Sequence, residues 1–292
     1  MIKISAVVSA YNEEKNIADC LESLEWADEI IVVDNTSSDK TVQIAKKYTS
    51  KIFSRVNNQM LNINKNFGFT KAKGEWIINL DADERVSPEL KKEILRNFSS
   101  DNNFSAFKTA RKNILFNKWI QHGIWWPDYQ IRLFRKSKGK FNCLHVHEKL
   151  TVIGEIGQLD NPLIHYNYRS VSQFIKKMND IYTDNEAENF LNSGKQIHWF
   201  DAIRMPANDF LANFFSRESY KDGLHGLVLS LLQSFYAFLV FCKVWEKQKF
   251  WEYQNKEFLV EVGQEFKKFN SDLGYWKRRT KLKGFFKDLL GR

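Results

Sequence analysis

Residues 75–90 read EWIINLDADERVSPEL, and the interpretation of the whole chain starts from this stretch. Residues 75–80 form a short apolar run that is typical of a buried strand, and the acidic turn DADE at 81–84 follows it. Ser87 is a favourable helix cap and Pro88 fits the first helical turn, so a helix is expected directly afterwards. The stretch therefore predicts a strand, an acidic turn at its carboxyl end, and a helix.

The same alternation fills the residues that precede this stretch. Strands are predicted at 2–10 (IKISAVVSA), 29–34 (EIIVVD) and 51–54 (KIFS). Helices are predicted from Asn12 to Leu24, from the cap at Ser38 and Asp39 to Tyr48, and from 62 to 73 before Gly74. Alternating strands and helices predict an α/β, Rossmann-like fold with a mostly parallel sheet flanked by helices.

The pattern changes twice after residue 100. Residues 104–168 contain short alternating runs such as YQIRLFRK and KFNCLHVHEKL, which predict antiparallel strands added to the sheet. From Val171 onward the pattern is helical. We therefore expect one domain at 1–170, made of halves at 1–100 and 101–170, and a helical C-terminal region at 171–292.

Composition and missing motifs exclude several classes of protein. The 292 residues are 43% hydrophobic and 27% charged, which provides a core and excludes a disordered chain. Three widely spaced cysteines argue against a disulfide framework and indicate a reducing cytoplasm, and the apolar N-terminus is too short for a signal peptide. Neither GxGxxG nor GxxxxGK[ST] follows the first strand, so neither a hydride-transfer enzyme nor a P-loop NTPase is expected.

Carboxylates follow two of the predicted strands. Asp34 ends the second strand, and Asp81 and Asp83 follow the fourth. Ligands of an open parallel sheet bind at the carboxyl ends of its strands, where these carboxylates would repel one another in a dry cleft. A divalent cation such as Mg²⁺ or Mn²⁺, bridging to substrate phosphates, is the simplest way to relieve that repulsion.

Three blocks of sequence resemble a known family. SAVVSAYNEEKNIADCLESL, EIIVVDNTSSDKT and NKNFGFTKAKGEWIINLDADERVSPEL occur in this order within residues 4–90 and resemble family 2 glycosyltransferases of the GT-A fold. RLFRK at 132–136, VHE at 146–148 and IHYNY at 164–168 resemble the subgroup of lipopolysaccharide or lipooligosaccharide core β-1,4-glucosyltransferases. The resemblance implies a GT-A catalytic domain at 1–170, whose first half binds the nucleotide and whose second half binds the acceptor.

The resemblance also implies a reaction. A sugar, with glucose expected, would move with inversion from a UDP-sugar to a saccharide or lipid-linked saccharide acceptor, assisted by Mg²⁺ or Mn²⁺. Another acceptor (protein, capsule or exopolysaccharide) and a nucleotide-sugar nucleotidyltransferase remain alternatives, although the latter needs a glycine-rich loop after the first strand. A nucleic-acid-binding module would leave the acidic strand ends unexplained, so no nucleic-acid partner is expected.

Individual residues receive roles from the same resemblance. The nucleotide site would comprise Ser9, Tyr11, Glu13, Asp34, Lys65, Asn66 and Asp81. Asp83 would be the direct metal ligand, His147 a metal or diphosphate ligand, and His165 a further candidate for that role. The Glu-Asp pair that usually supplies the catalytic base is missing, so the base is predicted to be Glu148 or, as the alternative, Asp128.

Two C-terminal segments suggest a membrane surface. Residues 224–242 lack charged side chains, with large apolar residues such as Leu231 and Phe235 on one helical face and Gly226 and Ser230 on the other. This pattern favours a helix that packs its apolar face on the protein or lies in the lipid interface over a spanning helix. Residues 277–292 carry seven Lys or Arg against one Asp, which predicts either binding to anionic lipid or a basic helix packed on its own domain. We expect a cytoplasmic enzyme, peripheral on the inner face of the cytoplasmic membrane.

Overall fold

The computed structural model describes residues 3–57, 61–98, 103–143 and 148–280. The described chain divides into two compact units. The first unit takes its residues from 1–114 and 126–167, and the second takes its residues from 115–125 and 168–292. The predicted boundary at residue 170 lies three residues from the division at 167/168. Residues 115–125 belong to the helical unit, and nothing in the sequence pattern indicated this.

Twelve strands and nine α-helices occur in the described residues. The strands are β1 (Ile4–Ala10), β2 (Glu29–Asp34), β3 (Ile52–Ser54), β4 (Trp76–Asp81), β5 (Glu84–Arg85), β6 (Ala106–Leu115), β7 (Lys118–Trp119), β8 (Tyr129–Arg135), β9 (Gly139–Lys140), β10 (Thr151–Val152), β11 (Ile156–Gln158) and β12 (Leu163–Tyr168). The helices are α1 (Ile17–Glu22), α2 (Thr41–Ala45), α3 (Leu61–Lys71), α4 (Pro88–Phe98), α5 (Val171–Lys177), α6 (Thr183–Asn192), α7 (Asp201–Leu211), α8 (Leu224–Lys247) and α9 (Phe258–Arg279).

The main sheet has the order β3-β2-β1-β4-β8-β6-β12-β5. Its first four strands are parallel, as the strand–helix alternation predicts. β8 then pairs antiparallel with both β4 and β6, and β12 pairs antiparallel with β5, which confirms the antiparallel addition. β11 is an exception, because it runs parallel to β6. The fold is the α/β, GT-A-like arrangement that the sequence predicts, with helices at its C-terminal end.

The buried strand β1 shows why these residues form a sheet core. Ala6 and Val8 contact one apolar cluster and Val7 contacts the other, as expected when successive side chains point to opposite faces. Both faces of the sheet are therefore covered. A Cβ on Gly68 of α3 would lie 2.6 Å from Val7 Cγ1, so the close approach of this helix requires glycine.

The helix predicted from Asn12 begins later, at Ile17. Asn12 has a φ of 54°, in the left-handed region, and its backbone N–H donates to Ser37 Oγ. The next backbone N–H, of Glu13, donates to Thr41 Oγ1 at 2.7 Å. The left-handed φ takes Asn12 out of the helical region, and its Oδ1 accepts from Ser38 N at 2.8 Å instead of capping a helix. α2 is likewise shorter than predicted, covering only Thr41–Ala45.

The strand predicted around residues 141–150 is absent from the part of this run that the structure describes. Residues 141–143 and 148–150 have no strand structure, and Cys143 has a φ of 60°. A left-handed residue turns the backbone out of the extended conformation, which ends any strand at this point. Residues 144–147, and with them the predicted ligand His147, lie outside the described residues.

α8 in the second unit packs differently from the prediction. Its buried positions include the small residues Gly226 and Ser230, whereas large residues of the predicted packing face, such as Leu231 and Phe235, are exposed. A Cβ on Gly226 would lie 1.7 Å from Ser219 O, so the small face permits an approach that the large face would prevent. Of the two alternatives, packing of the large apolar face on the protein was wrong for these residues, and a position of this face in the lipid interface stays a prediction. By length and composition α8 is the one helix among the described residues that could cross a membrane.

Candidate active site

The strand pairing brings the predicted nucleotide residues to one edge of the sheet. β1 lies between β2 and β4, with Ala10 opposite Asp34 and Ser9 opposite Asp81. All three strands are parallel, so their carboxyl ends meet at this edge. The structure thus brings Ser9, Asp34 and Asp81 together as the sequence predicts.

Asp81 is compensated by side chains of this chain. Lys65 Nζ of α3 lies 2.5 Å from Asp81 Oδ1, and Arg132 Nη2 of β8 lies 2.7 Å from Asp81 Oδ2. Burial alone would raise the pKa of Asp81, but these two cations hold it well below its usual range. The expected repulsion at the strand ends is thus relieved at Asp81 by Lys65 and Arg132, and a metal ion is not needed there.

Glu84 connects the ion pair of Asp81 and Arg132 to a second arginine, Arg111. Its carboxylate is fully buried, and its Oε1 lies 2.5 Å from Arg132 Nη2 and 3.7 Å from Arg111 Nη1 of β6. Burial alone would lower the pKa of Arg132, but Glu84 and Asp81 raise it. Sequence reasoning missed Glu84 and Arg111. Glu84 was visible as the last acidic residue of the DADE turn, whereas nothing in the sequence marks Arg111.

Asp128 ends this chain of charges. Arg111 donates to Asp128 Oδ2 from Nε at 2.8 Å and from Nη2 at 2.5 Å, and Gln130 Nε2 donates to Oδ1 at 2.8 Å. Burial alone would raise the pKa of Asp128, but the charge of Arg111 lowers it. Asp128 is therefore an ionised acceptor and a weaker base than an unpaired carboxylate, and its role as a catalytic base remains a prediction.

Asp83 faces a histidine. Asp83 Oδ2 lies 3.5 Å from His165 Nε2, and His165 Nδ1 lies 2.6 Å from Asn113 Oδ1. A carboxylate oxygen is a suitable ligand for Mg²⁺ or Mn²⁺, and an imidazole nitrogen is a ligand that transition-metal ions accept. No group of three or more His, Cys, Asp or Glu side chains that could hold a metal ion occurs in the described ranges. The donor set therefore fits a cation held by one or two protein ligands, with phosphate oxygens of a substrate completing the coordination.

α3 brings the predicted Lys65, Asn66 and Glu148 to one place. Asn66 Nδ2 donates to Phe141 O at 2.8 Å, and Phe141 N donates to Asn66 Oδ1 at 3.0 Å. Glu148 Oε1 accepts hydrogen bonds from Cys143 N at 2.6 Å and from Asn62 Nδ2 at 3.2 Å. Asn66 therefore has a structural role in holding this loop. Asn62, which binds Glu148, precedes Lys65 on α3 by about one helical turn.

The predicted nucleoside pocket contains two asparagines that the sequence did not reveal. Asn35 Nδ2 donates to Ser9 Oγ at 3.2 Å, and Asn64 Nδ2 donates to Asn35 Oδ1 at 2.6 Å. Both asparagines are buried next to the end of β2. They orient Ser9 at the carboxyl end of β1 and supply further polar groups beside Asp34.

The remaining predicted nucleotide residues surround this group. Asp34 is buried, and its carboxylate accepts from Ser37 N at 3.2 Å. Tyr11 is exposed, which suits a ring that stacks on a ligand. Glu13 Oε2 accepts from Asn16 Nδ2 at 2.6 Å, so this carboxylate also orients the start of α1.

Comparison with known proteins gives consistent relatives. The family model described as glycosyl transferase family 2 matches residues 5–151. An uncharacterized glycosyltransferase of Rickettsia typhi is 30% identical over 84% of this chain and 88% of that protein. The lipopolysaccharide core biosynthesis glycosyltransferase LpsC of Rhizobium meliloti is 26% identical over 84% of this chain and 93% of that protein.

Solved structures are more distant. Staphylococcus aureus TarS gives a TM-score of 0.42 at 18% identity, over 82% of this chain and 55% of that chain. S. aureus TarS 1-349 in complex with UDP gives a TM-score of 0.43 at 17% identity, over 87% of this chain and 93% of that chain.

Proposed function

The chain belongs to glycosyl transferase family 2, and we propose that this glycosyltransferase moves a sugar from a UDP-sugar to a saccharide of the lipopolysaccharide or lipooligosaccharide core. Glucose is the first candidate for the sugar. Similarity to LpsC over most of the chain supports the class of acceptor. The observation that carries the proposal is the grouping of Lys65, Asp81 and Asp83 at the carboxyl ends of the parallel strands.

Donor binding would use the edge formed by β1, β2 and β4. Ser9 and Asp34 present a hydroxyl and a carboxylate that suit the hydroxyl and amide groups of a nucleoside. Asp81 would accept from the ribose, while Lys65 and Arg132 keep its carboxylate ionised and fixed in position. A donor held in this way has already lost translational and rotational freedom on binding, so less entropy is lost in the reaction step itself.

Departure of the diphosphate increases negative charge, and stabilising that charge is usually the largest catalytic contribution. Asp83 and His165 would hold Mg²⁺ or Mn²⁺, and the bound cation would neutralise the departing diphosphate. Lys65 Nζ lies close enough to Asp81 to support the same region electrostatically. Asp83 is therefore the residue on which donor activation depends most.

Inversion requires a base that removes the proton of the acceptor hydroxyl. We favour Glu148, because hydrogen bonds from Asn62 and from the backbone N–H of Cys143 orient its carboxylate. Asp128 is the second candidate, and its ion pair with Arg111 lowers its basicity. A positioned base of this kind contributes about 10²–10⁴-fold to a rate.

A donor panel tests the reaction. The full chain is incubated with UDP- and GDP-sugars, with and without Mn²⁺, and donor hydrolysis and transfer to core saccharides are measured. We expect Mn²⁺-dependent hydrolysis of a UDP-sugar by the wild type and almost none by Asp83→Ala. Hydrolysis of a GDP-sugar alone would overturn the donor assignment, and transfer to a protein or capsular acceptor instead would overturn the acceptor assignment.

Calorimetric titration sharpens the nucleotide assignment. In the presence of Mn²⁺ we expect UDP to bind more tightly than GDP or ADP, because the resemblance of the blocks around Tyr11 and Asp34 to family 2 glycosyltransferases implies a UDP-sugar donor. Tighter binding of ADP would contradict the assignment. Lys65→Met should weaken UDP binding, whereas Lys71→Met, on the same helix, serves as a matched control.

We also propose peripheral attachment to the inner face of the cytoplasmic membrane. The basic, apolar residues 277–292 support it, since each Lys or Arg near an anionic leaflet contributes about 1 kcal/mol. The exposed residues Leu231, Phe235 and Phe238 of α8 supply an apolar surface of the second unit. A lipid-linked acceptor made at this leaflet would give such attachment a functional reason.

Flotation with phosphatidylglycerol vesicles separates the contribution of the basic residues 277–292 from that of the apolar surface of α8. The full chain should float at low salt and release substantially at high salt, and deletion of 281–292 should weaken flotation without changing donor hydrolysis. The double variant Phe235→Ser, Phe238→Ser should reduce the fraction of protein that stays bound to the vesicles at high salt. Flotation that depends neither on anionic lipid nor on these changes would contradict the attachment.

A further inference from the structure

Four side chains of the first unit form a continuous series of contacts that ends at Asp83. Asn113 Nδ2 lies 3.4 Å from Asp128 Oδ2, Asn113 Oδ1 lies 2.6 Å from His165 Nδ1, and His165 Nε2 lies 3.5 Å from Asp83 Oδ2. Asn113 is 0% exposed and His165 is 6% exposed. Buried amide and imidazole groups have fixed hydrogen-bond directions, because an unsatisfied donor or acceptor is costly there.

The direction of each hydrogen bond follows from the ionised end of the series. Arg111 keeps Asp128 in its carboxylate form, which only accepts hydrogen bonds. The amide group of Asn113 that faces Asp128 must therefore be the NH₂, which leaves the amide oxygen facing His165. An amide oxygen also only accepts, so His165 Nδ1 must carry a proton. In the neutral imidazole, Nε2 is then an acceptor that faces the carboxylate of Asp83.

We propose that Asn113, oriented by Asp128, is a positioning residue that fixes His165 with its proton on Nδ1. His165 Nε2 and Asp83 Oδ2, which lie 3.5 Å apart, would then be the two protein atoms that hold a divalent cation. This inference rests on the proposed function insofar as that function uses a metal ion. It also gives Asp128 a role other than that of the catalytic base.

The other tautomer would remove the imidazole ligand. With its proton on Nε2, His165 would have no lone pair at that nitrogen for a cation, and the proton would instead be donated to Asp83 Oδ2. Partners that orient a metal-binding histidine typically change metal affinity by about 10–100-fold when they are removed. A change of this size is the expected effect of removing the Asn113 oxygen.

Nuclear magnetic resonance of the wild-type protein tests the tautomer directly. The full chain has six histidines, so ¹⁵N-histidine labelling gives a spectrum in which His165→Gln identifies the signal of His165. At about pH 8, where an imidazole is neutral, the metal-free protein should show His165 protonated at Nδ1. A His165 that is protonated at Nε2, or that averages between the two forms, overturns the proposal. This measurement uses neither donor nor metal, so its outcome is independent of sugar transfer.

Calorimetric titration with MnCl₂ alone tests the consequence. Asn113→Leu should weaken Mn²⁺ binding by about 10–100-fold and shift His165 away from the Nδ1-protonated form. Gln130→Met removes the hydrogen bond to the other oxygen of Asp128 and is the matched control, with Mn²⁺ affinity within about threefold of the wild type. Unchanged Mn²⁺ affinity in a folded Asn113→Leu, or in His165→Ala, overturns the inference and leaves the proposed sugar transfer standing.

Discussion

The two ends of the parallel strands each bury a carboxylate that is paired with a cation, but they use it differently. At the amino ends, Glu29 accepts hydrogen bonds from Ser5 Oγ and, at 2.5 Å, from Lys73 N, and it pairs with Lys51. Burial alone would raise the pKa of Glu29, but its hydrogen bonds from Lys51 and Ser5 lower it to about 2. This group joins β1, β2, β3 and the turn before β4, and we assign it a structural role.

The group at the carboxyl ends contains more charged side chains. Lys65, Arg132 and Arg111 compensate Asp81, Glu84 and Asp128, and Asp83 faces His165 at 3.5 Å. A buried ion pair is therefore a poor indicator of function by itself, since both ends contain one. The histidine beside Asp83 is what distinguishes the carboxyl end.

The largest effect on transfer is expected from Asp83→Ala. Removing a preorganised charge-stabilising group costs about 10²–10³-fold, and loss of the cation should cost more, so we expect a fall of about 10³-fold or more in kcat. The variant should unfold at the same urea concentration as the wild type. Retention of more than about a tenth of the activity would contradict a role for Asp83 in metal binding and would weaken the distinction between the two ends.

Glu148→Gln is expected to have the second largest effect. Loss of a general base should lower transfer by about 10²-fold or more while UDP binding stays nearly unchanged. Stopped assays of transfer, with calorimetry for UDP, measure the two effects separately. Normal transfer by this variant, together with an inactive Asp128→Asn, would reverse the order of the two candidate bases.

Arg132→Met and Lys51→Met compare the cations at the two ends. Arg132 is buried between Asp81 and Glu84, and removing one partner of a buried pair typically costs about 3–5 kcal/mol of unfolding free energy. Lys51 is 40% exposed, so water screens its pair with Glu29 and the expected loss is about 0–1 kcal/mol. Urea unfolding of both variants checks this. Equal losses would show that the two ends do not differ in how strongly they depend on their cations.

Glu29→Gln should have the smallest effect on transfer. Its pKa in the folded protein is about 2 against an ordinary 4.5, so the ionised form contributes stability that is fully present above pH 4.5 and disappears as the pH falls toward 2. The variant should therefore be less stable than the wild type at neutral pH, and the difference should shrink below pH 4.5. Acid unfolding followed by circular dichroism measures this. A loss of donor hydrolysis at neutral pH would contradict the structural role.

Much of the candidate site could be predicted because its residues are local to recognisable strands. Asp34, Asp81 and Asp83 follow apolar runs, and the parallel order of those runs is enough to place them at one edge. The turn after β1, where the structure departs from the helix predicted to start at Asn12, could not be predicted in this way. Asn12 has a left-handed φ and its side-chain oxygen accepts from Ser38 N, and such a long-range hydrogen bond overrides the local preference for a helix that Asn12 would cap.

The sequence by itself determined the α/β alternation, the acidic strand ends and the family, since each is a pattern within a few dozen consecutive residues. Only the tertiary structure decided which charges meet: Arg111, Asn113 and His165 come from β6 and β12, and their side chains reach Glu84, Asp128 and Asp83 across the sheet. It also decided which face of α8 is buried. Close packing favours Gly226 and Ser230 there, because the approach to Ser219 leaves no space for a larger side chain. Hydrophobic periodicity reports which side chains water disfavours, whereas packing depends on the shape of the surface that each side chain meets in the folded protein.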